Sequence, residues 1–167
     1  YGGNEMFNKR INKLTSYDEY SAFLITSPEN IYYFSGFTGG EGALFVDKEE
    51  RVLLTDSRYT VQAKEEAKGF KVLDTFDTPL SEFLKRLNKR IIGFEDGFVT
   101  FKDFLGLKKA AGENALIPAS DKISAIRMIK DETEIALISK AAEIADNAFS
   151  YILDKIKPGK TEREIAL

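Results

Sequence analysis

The stretch Gly42-Ala-Leu-Phe-Val-Asp-Lys-Glu-Glu-Arg-Val-Leu-Leu-Thr55 contains two apolar runs that are separated by a short charged segment. The runs 42–47 and 51–55 have the length and the bulky apolar residues of β-strands, and Lys48-Glu49-Glu50 is a polar turn between them. This pattern predicts a β-hairpin. One hairpin among elements that otherwise alternate between strand and helix indicates an α/β fold, with a mixed β-sheet flanked by helices on both faces.

The segments around the hairpin carry the signals of further strands and helices. Apolar runs predict strands over residues 22–25, 70–76, 90–94 and 115–117. Start and stop signals, such as Ser27-Pro28 before one segment and Gly36 after it, predict the helices between the strands. These helices are expected over residues 6–14, 28–35, 79–87 and 100–111, with one more that Asp56 caps and that runs to Ala67.

A long amphipathic helix is predicted after this α/β region. Asp131 and Glu134 form a capping pair at its start, and we expect it to run from Glu132 to Ile156. Its apolar positions recur at spacings of three and four residues, which is typical of a helix that packs along one seam. These positions are Ile135, Ile138, Ala142, Ala145, Phe149, Ile152 and Ile156.

The order of the elements predicts a division of the chain into three parts. Residues 6–124 are expected to form the compact α/β domain. Residues 125–167 are expected to form a linker and the first helices of a second, truncated domain, because another helix begins near Thr161 and breaks off at Leu167. Residues 1–5, Tyr-Gly-Gly-Asn-Glu, are interpreted as an expression scar that precedes Met6.

The composition excludes several classes of function. The 167 residues include no His and no Cys, which excludes Ser-His-Asp and Cys-His catalysis, disulfides and metal sites that need an imidazole or a thiolate. A net charge of -3 offers no field that attracts nucleic acid or an anionic membrane. No apolar run approaches the roughly 20 residues that span a bilayer. The lack of Cys fits a reducing compartment, and we expect a cytoplasmic location.

Two loops near strand ends are the candidate binding segments. The glycine-rich run 36–42 matches neither a dinucleotide fingerprint nor a Walker loop, and it serves either for close approach to a ligand or for a tight crossover. The run 55–59 follows a strand, where open α/β sheets place ligands. There, Arg58 is a candidate for holding a carboxylate and Tyr59 for lining a cleft. The alternative is that Arg58 pairs with a local acid and Tyr59 packs.

The acidic residues do not suggest a metal site. Glu95 and Asp96 are adjacent on an extended segment, so their side chains point to opposite faces and make a poor pair of metal ligands. From the residues alone, the chain is an α/β domain without a visible catalytic set.

Four segments resemble a known family. Asn30-Ile-Tyr-Tyr-Phe-Ser-Gly-Phe-Thr-Gly39 is similar to a stretch of the amino-terminal domains of Xaa-Pro peptidases. Leu53-Leu-Thr-Asp-Ser-Arg-Tyr-Thr-Val-Gln-Ala63 resembles their threonine-aspartate-x-arginine-tyrosine motif. Residues 127–141 resemble the entry helix of their catalytic domain, and residues 159–166 resemble the next turn into a helix. The chain is thus identified as the creatinase-type amino-terminal part of an Xaa-Pro aminopeptidase or Xaa-Pro dipeptidase (prolidase).

The resemblance implies a fold and a division of labour. It implies a ribonuclease H-like amino-terminal domain in front of a catalytic domain that holds two divalent ions, manganese or cobalt, between two Asp, one His and two Glu. In that family the metal-activated water attacks the peptide bond before proline. No catalytic residue and no metal ligand is carried over to this sequence, and the chain itself is expected to bind no cofactor and to be inactive.

The resemblance also implies a role for the amino-terminal domain. It covers the active-site cleft, supports a homodimer and works with the missing catalytic domain on proline-containing peptides. Phe37, Arg58 and Tyr59 are the positions that we expect to line the substrate cleft. Two alternatives stay open: a binding or assembly module from a catalytically inactive relative, and the amino-terminal domain of a creatinase.

Overall fold

The computed structural model describes residues 2–87 and 90–166, with side chains from Glu5 onward. Tyr1, in the segment interpreted as a scar, and Leu167, where the second domain is expected to break off, lie outside the described residues, as do Asn88 and Lys89. Backbone contacts divide the chain into two compact units, Tyr1–Ile126 and Arg127–Leu167. The expected domain limits, 6–124 and 125–167, stay predictions.

A six-stranded sheet forms the centre of the first unit, within the described residues. Its strands are β1 (Ala22–Ile25), β2 (Ala43–Val46), β3 (Arg51–Thr55), β4 (Lys71–Asp74), β5 (Ile91–Phe94) and β6 (Ala115–Pro118). They lie in the order β4-β3-β2-β1-β5-β6. β2 is antiparallel to both β1 and β3, and the other neighbours are parallel, which confirms the predicted hairpin and the mixed sheet.

Helices cover both faces of the sheet, as the sequence predicts. The helices on one face are α1 (Gly2–Leu14), α2 (Pro28–Ser35), α3 (Thr60–Glu66) and α6 (Ser120–Met128), and those on the other are α4 (Leu80–Lys85) and α5 (Phe101–Ala111). Every residue of β1 and β2 is buried because helices pack on both sides. This explains why the two strands are apolar throughout and do not alternate with polar residues.

The helix borders follow local signals at most ends. Thr100 caps α5 by accepting the Asp103 amide hydrogen (3.2 Å). α2 begins at Pro28 and ends before Gly36, whose φ of 78° lies in the left-handed region that glycine tolerates. A side chain at position 36 would also overlap the ring of Phe7. The glycine therefore ends the helix and lets α1 pack close to it.

Several elements differ from the sequence prediction. The predicted helix start at Asp56 is wrong: Asp56 accepts the Arg58 amide hydrogen (2.8 Å) in a turn, and α3 begins only at Thr60. β4 covers Lys71–Asp74 and not 70–76, because Asp74 accepts the Phe76 amide hydrogen (2.8 Å) and starts a turn. The sequence patterns did not indicate α6, since Ile123 and Ile126 are its few buried apolar residues.

The second unit contains two helices within its described residues. α7 (Glu132–Leu153) opens with a capping box, in which the Asp131 carboxylate accepts the Glu134 amide hydrogen (2.9 Å) and Glu134 accepts that of Asp131 (3.0 Å). This confirms the predicted start. α7 ends at Leu153, before the expected Ile156, and α8 (Glu162–Ala166) follows a turn. Among the described residues, no helix is both long and apolar enough to cross a lipid bilayer.

Candidate functional site

The loops that carry the candidate residues lie at one edge of the sheet. β1, β3, β4, β5 and β6 all end there, and antiparallel β2 begins there. We call this the carboxyl edge. The glycine loop (residues 36–42) enters β2 at this edge, and the turn 56–59 leaves β3 beside it. Open α/β sheets bind ligands outside the carboxyl ends of their strands, so this edge is the candidate site.

The three residues predicted to line a cleft form a continuous row at this edge. The ring of Phe37 meets the ring of Tyr59 edge to face, with 6.3 Å between the centroids and an interplanar angle of 84°. The Arg58 guanidinium lies 5.3 Å from the centroid of the Tyr59 ring. Phe37 is only 1% exposed, Tyr59 is half-buried and Arg58 is exposed. The cleft row (Phe37, Tyr59, Arg58) thus runs from the core to the surface.

The guanidinium of Arg58 is held by two carboxylates. Its Nη2 lies 2.6 Å from Asp56 Oδ2 and 3.4 Å from Glu41 Oε2, and its Nε donates to Asp56 Oδ1 at 3.1 Å. The side-chain hydrogen bond from Arg58 lowers the pKa of Asp56, and Asp56 in turn raises the pKa of Arg58. The geometry is that of an arginine paired with local acids, as in the alternative interpretation of the sequence. A substrate carboxylate would compete with both acids for this cation.

A small cavity lies beside this ion-paired cluster. It is lined by Glu41, Thr55, Asp56, Thr75 and Leu80 among others.

The cavity beside the Arg58 cluster measures about 230 Å³. This is below the roughly 300–1,000 Å³ that is typical of sites that enclose a small molecule. The cavity therefore suits one side chain or peptide group and not a whole peptide.

Glu66 holds the exposed part of the glycine loop, which the sequence did not indicate. Its carboxylate accepts the amide hydrogen of Thr38 (2.8 Å) and the Thr38 hydroxyl (3.0 Å). Gln62, one turn earlier on α3, donates to Thr38 Oγ1 (2.8 Å) and to Glu66 Oε1 (3.0 Å). The hydrogen bond from the Thr38 amide is the main reason that the pKa of Glu66 is lowered.

Glu95 anchors the start of α2, which the sequence also did not indicate. Its side chain is 2% exposed. One carboxylate oxygen accepts the amide hydrogens of Thr26 and Ser27 (2.8 Å for Ser27), and the other accepts from the Ser27 hydroxyl (2.6 Å) and the Asn30 amide group. The carboxylate thus satisfies donors at a helix start that lies 65 to 69 residues away in sequence.

Asp96, the neighbour of Glu95, serves a different helix. It accepts the amide hydrogen of Ser120 (3.1 Å) at the start of α6, and the Ser120 hydroxyl accepts that of Gly97 (2.9 Å). The two adjacent acids therefore bind the starts of two different helices.

Comparisons with known proteins give this geometry its context. The family model described as "Creatinase/Prolidase N-terminal domain" matches residues 9–129. The chain belongs to the creatinase/prolidase N-terminal domain family. It is 35% identical to the Xaa-Pro dipeptidase of Pyrococcus furiosus over 166 residues, which cover 95% of this chain and 46% of that protein.

Several solved structures of Xaa-Pro peptidases are similar to this chain. One is the Xaa-Pro dipeptidase from Bacillus anthracis, with a TM-score of 0.85 and 31% identity over 95% of this chain and 46% of the other. Another is the X-Pro aminopeptidase from Thermotoga maritima MSB8, with a TM-score of 0.80 and 36% identity over 94% and 46%. The chain therefore spans about half the length of the relatives that it matches, and the predicted fold and family are confirmed.

Within its described residues, this chain does not offer the ligands of a metal centre. Across residues 2–87 and 90–166, no three acidic side chains come close enough together to hold a metal ion. The two-metal chemistry that the family implies therefore does not fit the residues described. The cleft-lining role of Phe37, Arg58 and Tyr59 stays a prediction, although the structure brings all three together.

Proposed function

We propose that this chain is the non-catalytic amino-terminal domain of a metal-dependent peptidase that hydrolyses the peptide bond before proline. The observation that carries the proposal is coverage: the chain aligns over 95% of its own length with 46% of a protein named Xaa-Pro dipeptidase. The family match over residues 9–129 falls on the domain type that precedes the catalytic domain in such proteins. We expect the catalytic domain of the whole protein to hold the two divalent ions, manganese or cobalt.

The proposed contribution of this domain is to the wall of the substrate cleft. Arg58 is exposed at the carboxyl edge, and Tyr59 lies between it and the buried ring of Phe37. Phe37 therefore acts on the cleft by supporting Tyr59 and not by touching a peptide. The cavity of about 230 Å³ next to Arg58 is a partial subsite that the catalytic domain completes. A cleft confined in this way admits short peptides and keeps longer ones out.

The same proposal extends to assembly and location. We propose a homodimer, in which this domain supplies part of the contact, and a cytoplasmic location, which the absence of Cys supports. Size-exclusion chromatography with light scattering on the whole protein tests the first statement. A monomer at micromolar concentration would contradict it.

The function is tested by comparing the whole protein with the isolated 167-residue chain. Both are assayed with an Xaa-Pro dipeptide, an Xaa-Pro-Yaa tripeptide and creatine, each with added manganese or cobalt. We expect hydrolysis only by the whole protein, and the preferred substrate separates a dipeptidase, an aminopeptidase and a creatinase. Cleavage of a proline peptide by the isolated chain contradicts the non-catalytic role. A whole protein that cleaves none of the three substrates contradicts the proposed function.

A further inference from the structure

The glycine loop between α2 and β2 is held mainly by side chains from other elements. At its start, the Phe37 amide donates to Ser35 Oγ (3.2 Å). At its end, the Glu41 carbonyl accepts the Thr55 hydroxyl (2.7 Å). Between these points lie Gly39 and Gly40, which lose much conformational freedom when the loop is ordered. The hydrogen bond from the Thr38 amide to Glu66 restrains the exposed middle of the loop, between these two ends.

α3 connects this restraint to the cleft row. Tyr59 immediately precedes α3 and contacts Phe37, whereas Glu66 is the last residue of α3 and binds Thr38. The loop and the helix are therefore joined at two places, by the aromatic rings of Phe37 and Tyr59 and, at Thr38, by Glu66 together with Gln62. Two separate contacts between the same two elements fix their orientation, whereas one would leave them free to rotate about it.

We infer that Glu66 is a positioning residue, which fixes the glycine loop and thereby keeps the cleft row (Phe37, Tyr59, Arg58) in place for substrate. The inference rests on the proposed function for its meaning in catalysis. Glu66 itself touches Thr38 and Gln62 and is not assigned a contact with substrate. Its loss therefore weakens binding of the peptide and leaves the chemical step unchanged.

The restraint is tested first in the 167-residue chain by hydrogen exchange. We expect the Thr38 amide of Glu66→Ala to exchange about tenfold faster than that of the unaltered chain, because its acceptor is gone. Glu66→Gln retains an acceptor and is expected to lie between the two. Glu65→Gln changes an exposed neighbour on the same helix and serves as the matched control, with unchanged exchange. Equal Thr38 exchange in Glu66→Ala and the unaltered chain overturns the inference.

The positioning role is tested next in the whole protein with an Xaa-Pro peptide. We expect Glu66→Ala to raise KM about fivefold with kcat unchanged, the pattern of a binding interaction lost equally from the bound substrate and the transition state. Glu66→Gln is expected to restore much of the affinity, and Glu65→Gln to leave both constants unaltered. Thr38→Val, which removes the hydroxyl but keeps the amide, gives a smaller rise and tests the same contact without changing α3.

The exchange rate of the Thr38 amide and the kinetic constants of the whole protein together distinguish a failure of the inference from a failure of the proposed function. Faster Thr38 exchange with an unchanged KM shows that the loop is held by Glu66 but positions nothing for substrate, and it overturns the inference alone. An unaltered whole protein without activity overturns the proposed function and the catalytic meaning of Glu66 with it, whereas the exchange result still reports on the loop. A fall in kcat with unchanged KM also contradicts a positioning role in binding.

Discussion

Glu95 and Glu66 are two carboxylates that each accept a backbone amide hydrogen from a distant segment, but their surroundings differ. Glu95 is 2% exposed and receives hydrogen bonds from Thr26, Ser27 and Asn30 at the start of α2. Glu66 is only partly buried and binds an exposed loop residue, Thr38. The Ser27 amide and hydroxyl that donate to Glu95 are buried, whereas the Thr38 amide and hydroxyl that donate to Glu66 are exposed to water. The first contact therefore stabilises the fold, and the second orders a loop.

The largest effect is expected from Glu95→Ala. Removing the carboxylate takes the acceptor away from the buried Ser27 amide and hydroxyl, and we expect the free energy of unfolding to fall by about 3 kcal/mol. Glu95→Gln keeps one acceptor oxygen but presents an amide group to the Asn30 side chain, and about half of that loss is expected. Urea unfolding followed by circular dichroism measures both. A loss below about 1 kcal/mol for Glu95→Ala would remove the contrast with Glu66.

The next effect concerns the packing of the glycine loop on the cleft row. A side chain at position 39 would overlap the ring of Phe37, which is buried and has little room to move. We expect Gly39→Ala to lower the free energy of unfolding by about 2 kcal/mol. Gly40→Ala is the matched control, because nothing lies within 4 Å of the added carbon, and a change within about 0.5 kcal/mol is expected. Equal losses in the two variants would contradict this packing.

The sequence predicts the framework better than it predicts these contacts. The hairpin of β2 and β3 is visible because a charged turn separates two apolar runs, and the start of α7 is visible because Asp131 and Glu134 are three residues apart. Both signals are local. Glu95 and Ser27 are 68 residues apart, and Glu66 and Thr38 are 28 apart, so no spacing along the chain indicates either pair.

The same limit applies to the candidate site. The sequence selected Phe37, Arg58 and Tyr59 but did not indicate that Phe37 is buried beneath Tyr59. It also treated Asp56 as a helix cap, whereas Asp56 closes a turn and binds Arg58. Burial and pairing depend on which elements the sheet brings together. They become visible only once the strand order is known.

A small effect on stability is expected at Glu66. Because water replaces the carboxylate at the exposed Thr38, Glu66→Ala should lower the free energy of unfolding by less than about 1 kcal/mol. The same urea experiment measures it beside Glu95→Ala, with Glu65→Gln as the control. A loss as large as that of Glu95→Ala would show that Glu66 stabilises the whole domain, and the distinction between the two carboxylates would fail.

The smallest effect is the pH dependence of the Glu66 contact. The Thr38 amide lowers the pKa of Glu66 below its ordinary value of 4.5, so the folded state favours the charged carboxylate. The stabilisation is therefore complete above pH 4.5 and is lost as the pH falls through the lower folded-state value. The side chains that bind Glu66, Thr38 and Gln62, do not titrate, so the NMR shift of the Thr38 amide should follow Glu66 with a midpoint below 4.5. Glu66→Gln should remove that titration, and a midpoint at or above 4.5 would contradict the charged contact on which the ordering of the loop depends.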